Sequence, residues 1–191
     1  MLIDFQAGVF NEMGEAPRFR SAFQEIPVRI MIGDVDLLGV PEEDQSKQSE
    51  PSWYPLQIPN LARWGLASVQ KAQETGRYVY ELGRYGDTGA ALLFKRSGAD
   101  MLIHSTMTDR TVRVSYHTLL KEWKDFAERV RNFVSHTFPE MKQQQGWSDW
   151  LTGQEEPVWS QPGGYAEMFP FWQRWFNEYK DAFQHVDAVE T

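Results

Sequence analysis

The stretch Thr118–Phe138, TLLKEWKDFAERVRNFVSHTF, decides the fold and is followed directly by Pro139. Its apolar side chains recur every three or four residues, as on one face of a helix. They are Leu119, Leu120, Trp123, Phe126, Ala127, Val130, Phe133 and Val134. Because proline cannot continue a helix, the pattern predicts one long amphipathic helix over about 115–138. We expect this helix to bury its apolar face against a second layer of structure.

Short runs of β-branched and apolar residues precede the helix and are separated by turn residues. They cover about 78–82, 90–94, 101–103 and 111–114. A spacing of about ten residues with turn signals between the runs is typical of antiparallel strands joined by hairpins. The sequence therefore predicts a meander leading into the helix.

The N-terminal part predicts a further hairpin over 26–38, with Gly33 and Asp34 at its turn. A weaker alternation of apolar residues predicts an edge strand within 2–10. These segments would extend the sheet to five or six strands.

A second helix is predicted over 60–75, where Asn60 could cap its start and Gly76 could end it. Residues 40–59 contain four prolines and a run of polar residues, so they are predicted to form a loop.

The fold class predicted from these elements is α+β: an antiparallel sheet packed by a long amphipathic helix, with an aromatic-rich helical C-terminal segment. Residues 1–140 would form the α+β core domain. Residues 141–191 would form a loop over 141–164 and an amphipathic helix over about 170–186, docked on the core. This C-terminal part contains eleven aromatic residues, most of which must be buried somewhere.

Composition narrows the function classes. The chain has no cysteine, which removes disulfides, thiolate metal sites and thiol nucleophiles, and which suits a reducing cytoplasm. The first residues show neither the basic start nor the unbroken apolar run of a signal peptide, and no apolar run approaches the roughly 20 residues of a membrane span. We therefore expect a cytoplasmic protein that does not bind membranes.

The net charge of −8 is unevenly distributed. Residues 1–60 carry ten acidic and four basic side chains, residues 61–140 carry nine and twelve, and residues 141–191 carry eight and three. Acidic ends repel phosphate backbones, which argues against nucleic acids. The same charge could steer a basic protein partner or could simply keep the chain soluble.

No motif of catalytic or metal-binding type is complete. Asp34, Asp36 and Gly39 match the start of a calcium loop, but Leu38 stands where that loop needs Asp or Asn, and Gln45 stands where it needs Glu. The four histidines show no metal-ligand spacing, and no phosphate-binding glycine loop or nucleophile elbow is present. We therefore predict no metal, no cofactor and no catalysis.

A hairpin at 26–38, then a helix, a meander and a helix carrying Trp123, Phe126, Val130 and Phe133 form a recognisable order of elements. This order, over residues 26–138, resembles small bacterial immunity proteins that neutralise polymorphic or contact-dependent toxins. The resemblance implies a cytoplasmic, non-enzymatic protein that occludes a cognate toxin domain, often a basic nuclease, with an acidic surface. The segment after residue 140 departs from that pattern.

The function predicted from the sequence is thus a protein-binding inhibitor of the immunity type. The residues expected to contact the partner form an acidic patch and a second, aromatic and acidic patch. They are Asp34, Asp36, Glu42, Glu43 and Asp44, and then Trp147, Trp150, Glu155 and Glu156. Two alternatives stay open: a small-molecule-binding or enzymatic domain that would use Tyr80, Glu81 and His104, and an assembly protein of a phage or secretion machine. The oligomeric state is not predicted.

Overall fold

The computed structural model describes residues 1–5, 25–39, 54–82, 90–144, 146–153 and 180–188. Eight strands lie in these ranges: β1 Leu2–Phe5, β2 Glu25–Ile32, β3 Val35–Asp36, β4 Tyr54–Gln57, β5 Arg77–Glu81, β6 Ala91–Ser97, β7 Asp100–Ser105 and β8 Arg110–Ser115. The α-helices are α1 Ile58–Thr75, α2 Tyr116–Thr137, α3 Ser148–Leu151 and α4 Lys180–Ala188, and a 3-10 helix spans Pro139–Gln143. The fold class is α+β, as the sequence predicts.

The strands form two antiparallel sheets of four strands each. In the first sheet, β2 is central: β1 pairs along one edge, while β3 and β4 pair one after the other along the opposite edge. The second sheet is the meander β5-β6-β7-β8. The sequence analysis placed all strands in one sheet, and this was wrong, because the choice of partner for β2 depends on contacts with β1 and β4 that are distant in sequence.

The main core lies where α1 and α2 pack against both sheets. Its largest fully buried side chains include Ile3, Ile30, Leu61, Phe94 and Trp123. The alternation of β6 and β7 sends every second side chain into this core.

The opposite face of the second sheet is also buried. Val79, Ala91, Leu93 and Leu102 form a separate apolar cluster there with Phe183 and Val186 of α4. Because both faces of β6 are covered, five consecutive residues of this strand are buried. The last described helix therefore packs against the sheet of its own chain.

The helix ends follow local chemistry. Ser115 caps α2 by accepting a hydrogen bond from the Thr118 N–H at 3.1 Å. Gly76 ends α1 with a left-handed φ of 86°, as the sequence predicts. The start of α1 differs from the prediction: the helix begins at Ile58, and Asn60 lies inside its first turn, because Pro59 is accepted there without loss of a hydrogen bond.

Two predicted loops contain regular structure. Residues 54–57 form β4 although Pro55 lies within it, which is tolerated because β4 is short and pairs with one strand among the described residues. Residues 139–143 and 148–151 are helical rather than loop-like. The predicted strand over 2–10 is described only to Phe5, and the predicted helix over 170–186 is described only from residue 180.

Candidate protein-binding surface

The β2–β3 hairpin presents one of the predicted partner-binding carboxylates to solvent. Gly33 and Asp34 form its two-residue turn, and the positive φ of 59° at Gly33 fits a turn with glycine at its first central position. Asp34 is exposed, and its side chain forms no hydrogen bond or ion pair with another residue of the described part of the chain. The turn therefore fixes the position of the Asp34 carboxylate, which stays unpaired within the described residues.

Asp36, two residues further along the chain, binds other residues of the same hairpin region. Its Oδ2 lies 3.3 Å from Nε of Arg29, and its Oδ1 accepts a hydrogen bond from the Leu38 N–H at 3.0 Å. Only 18% of its side chain is exposed. Asp36 thus fixes the chain after β3, and less of its charge is offered to a partner than at Asp34.

The remaining acidic residues of both predicted patches, Glu42, Glu43, Asp44, Glu155 and Glu156, lie outside the described residues. The described range that contains the hairpin ends at Gly39, three residues before Glu42.

Trp147 directly precedes α3 and Trp150 lies within it, and their rings lie near the two long helices. Trp150 is 4% exposed and Trp147 is half-buried, and their rings meet edge to face at 5.5 Å. The guanidinium of Arg131 in α2 lies 5.9 Å from the Trp150 ring, and that of Arg63 in α1 lies 5.1 Å from the Trp147 ring. Burial and cation–π contacts of this kind stabilise the docking of α3, so the structure assigns Trp150 a role in packing.

The residues of the enzymatic alternative do not converge. Glu81 and His104 lie on the face of the second sheet that packs against α4, whereas Tyr80 lies on the opposite face, because neighbouring residues of a strand alternate. His104 is 2% exposed, and its Nδ1 lies 3.0 Å from Oγ1 of Thr111, its cross-strand neighbour. The three side chains therefore do not line one cleft.

Several interacting charges were missed by the sequence analysis. Arg29 could have been found, since a two-residue turn places Met31 opposite Asp36 and so puts Arg29 on the same face as that carboxylate. The pairing of Asp187 with Lys95 at 2.7 Å and with Arg77 at 2.9 Å joins α4 to the second sheet. No local pattern indicates that contact, because the partners are about 90 or more residues apart.

Within the described ranges, no three histidine, aspartate or glutamate side chains are grouped so as to hold a metal ion. None of the described helices is both long and apolar enough to cross a membrane.

Comparison of the chain with protein-family models, with curated protein sequences and with solved structures gives no match.

Proposed function

We propose that the protein is a protein-binding inhibitor of the immunity type, which occludes a cognate, basic toxin domain in the cytoplasm. The observation that carries the proposal is Asp34, an exposed carboxylate held at a hairpin turn and unpaired within the described residues. A charge presented on a short turn loses little conformational freedom when a partner binds, which favours recognition.

The charge distribution along the chain supports the same proposal. Residues 54–144, which contain both long helices and the second sheet, carry 13 basic and nine acidic side chains. Residues 40–53 carry four acidic side chains and one basic side chain, and residues 154–191 carry seven and two. The negative charge is therefore concentrated in particular segments, one of which begins four residues after Asp36, the last residue of the β2–β3 hairpin. A concentrated charge of one sign accelerates association with a partner of the opposite sign.

The first experiment is affinity capture of the tagged protein from its native cytoplasm, followed by purification of the captured partner. The expected partner is a stoichiometric protein with a basic toxin domain, whose activity falls to background when the purified protein is added at a one-to-one ratio.

The second experiment locates the contact. A variant carrying Asp34→Lys, Glu42→Lys and Glu43→Lys should associate with that partner at least ~10-fold more slowly at low salt, with a smaller difference at high salt. A control carrying Glu74→Lys, Glu128→Lys and Glu140→Lys has the same net charge, and its three changes lie at exposed positions on other elements.

The two variants separate a local contact from a general charge effect. Equal slowing in both would remove the hairpin and its following segment from the interface. A captured partner that is acidic, or whose activity is unaffected by the protein, would overturn the proposed function itself.

A further inference from the structure

Among the described residues β1 pairs with β2 alone, and its other edge, called here the outer edge, carries backbone groups that point away from β2. In an antiparallel pair, residues alternate between positions that bond to the partner and positions whose N–H and C=O point outward. Ile3 lies opposite Ile30, yet its N–H donates to Oε1 of Glu122 at 3.2 Å and its C=O accepts from Nη2 of Arg129. Ile3 is therefore an outward-pointing position of the ladder.

Glu122 and Arg129, both on α2, supply what a neighbouring strand would supply: one acceptor for the N–H and one donor for the C=O. The two side chains also lie 3.9 Å apart as an ion pair, and that of Glu122 is 18% exposed. The next outward N–H, that of Phe5, donates to Oδ1 of Asp4 at 2.9 Å. Side chains thus occupy three consecutive outward groups of this edge.

We propose that the outer edge of β1 is a latent strand-pairing surface for a second copy of this chain, which Glu122 and Arg129 keep closed. An unprotected strand edge is a template for pairing, and proteins protect such edges with charged side chains. Here Glu122 and Arg129 form hydrogen bonds to the edge itself. Loss of these two hydrogen bonds would therefore expose both the N–H and the C=O of Ile3.

A second copy fits this edge because the edge is complementary to itself. If two β1 strands meet antiparallel about a two-fold axis at Ile3, each Ile3 donates its N–H to the other C=O, and both outward groups are satisfied. Leu2 of one copy then faces Asp4 of the other. Leu2 is 47% exposed and lies on the face of β1 opposite the core, so this pairing would not disturb Ile3 in the core.

The test begins with Glu122→Ala/Arg129→Ala, studied by sedimentation velocity over a concentration series and by amide hydrogen exchange. We expect a monomer for the unchanged chain and a concentration-dependent dimer for the double variant. At dilutions where the variant is monomeric, exchange of the Ile3 amide should be at least ~10-fold faster than in the unchanged chain. Arg129→Ala alone, which removes the more exposed partner, should dimerise more weakly and serves if the double variant does not fold.

Two controls separate hydrogen bonding from charge. Lys121→Ala/Asp125→Ala removes an exposed ion pair from the same helix and should leave the chain monomeric. Glu122→Gln/Arg129→Gln keeps an acceptor and a donor without charge and should also remain monomeric.

The pairing register is tested by cross-linking, which is clean because the chain has no cysteine. In the double-alanine background, an oxidised mixture of Leu2→Cys and Asp4→Cys variants should give a covalent dimer, whereas either variant alone should give far less. Monomeric behaviour of both alanine variants with a fast-exchanging Ile3 amide would overturn the proposal, and so would a dimer without this cross-link.

Discussion

Gly65 of α1 lies against the indole ring of Trp123 of α2, and the contact leaves no room for a side chain. A Cβ at Gly65 would stand 2.3 Å from Cζ3 and 2.4 Å from Cη2 of that ring. Trp123 is completely buried, and α1 and α2 both contribute to the main core. The close approach of the two helices therefore depends on a glycine facing the largest buried side chain.

Gly65→Ala should destabilise the protein although alanine favours a helix by about 1 kcal/mol over glycine. Forcing a methyl group against a packed ring costs about 1–3 kcal/mol, and a contact this close favours the upper end of that range, so we expect a net loss of about 1–2 kcal/mol in the free energy of unfolding. Denaturant unfolding of the single variant measures this loss. In a Trp123→Phe background the atoms that meet the methyl group are gone, and Gly65→Ala should become neutral or stabilising. A loss that is unchanged in that background would show that the ring is not its cause.

Ser105 joins the second sheet to the segment after β3. Its hydroxyl is buried, donates to the Leu37 C=O at 2.5 Å and accepts from the Met107 N–H at 3.3 Å. Ser105→Ala leaves both backbone groups without this partner, so unfolding free energy should fall by about 1–3 kcal/mol. Ser97→Ala is the matched control, because its hydrogen bond from Arg113 is exposed, and it should change stability by less than about 0.5 kcal/mol. Similar losses in the two variants would contradict a buried bridge at Ser105.

The two long helices and the meander were predicted because their signals are local. The apolar spacing of α2, the positive φ of Gly76 and the two turns between β6 and β8 depend on residues close in sequence. The division into two sheets was not predicted, because it depends on pairing between β2 and β4, and β4 lies in a segment whose four prolines predicted a loop. Local sequence patterns do not specify which of several strands distant in sequence will pair with one another.

The candidate surface was predictable only in part, for a related reason. A list of acidic residues does not distinguish Asp34, which faces solvent, from Asp36, which binds Arg29 and a backbone N–H. The two tryptophans of the second patch were chosen for their chemistry, yet Trp150 is buried beside α2. Burial depends on how α3 docks, which the sequence of its few residues does not specify.

The contact of α4 with the second sheet should make stability depend on acid pH. The hydrogen bond from Lys95, together with the charge of Arg77, lowers the pKa of Asp187 below its ordinary value of 3.8. A carboxyl whose pKa is lower in the folded chain adds stability above its unfolded pKa and loses it as the pH falls through the folded pKa. Because 43% of the side chain is exposed, we expect this contribution to be at most about 1 kcal/mol.

Unfolding free energies of the unchanged chain and of Asp187→Asn, measured from pH 7 to pH 2, test this expectation. The variant should be less stable at pH 7, and the difference should shrink as the pH falls below 3.8. Added salt at pH 7 should also reduce it. A difference that stays constant with pH would show that the charge of Asp187 is not the source of its effect.

The two aspartates of the β2–β3 hairpin should separate binding from stability. Asp36→Ala removes the acceptor of the Leu38 N–H and the ion pair with Arg29, so we expect a loss of about 1–2 kcal/mol in unfolding free energy. Asp34→Ala removes an exposed carboxylate that is unpaired within the described residues, and stability should stay within about 0.5 kcal/mol of the unchanged chain. Thermal and denaturant unfolding of both variants measure these effects.

Against the partner of the proposed function, Asp34→Ala should slow association while the fold stays intact, because a charge at an interface acts mainly on the association rate. A stable Asp34→Ala variant with an unchanged association rate would exclude Asp34 from the contact, and an equal loss of stability at both positions would show that Asp34 also has a structural role.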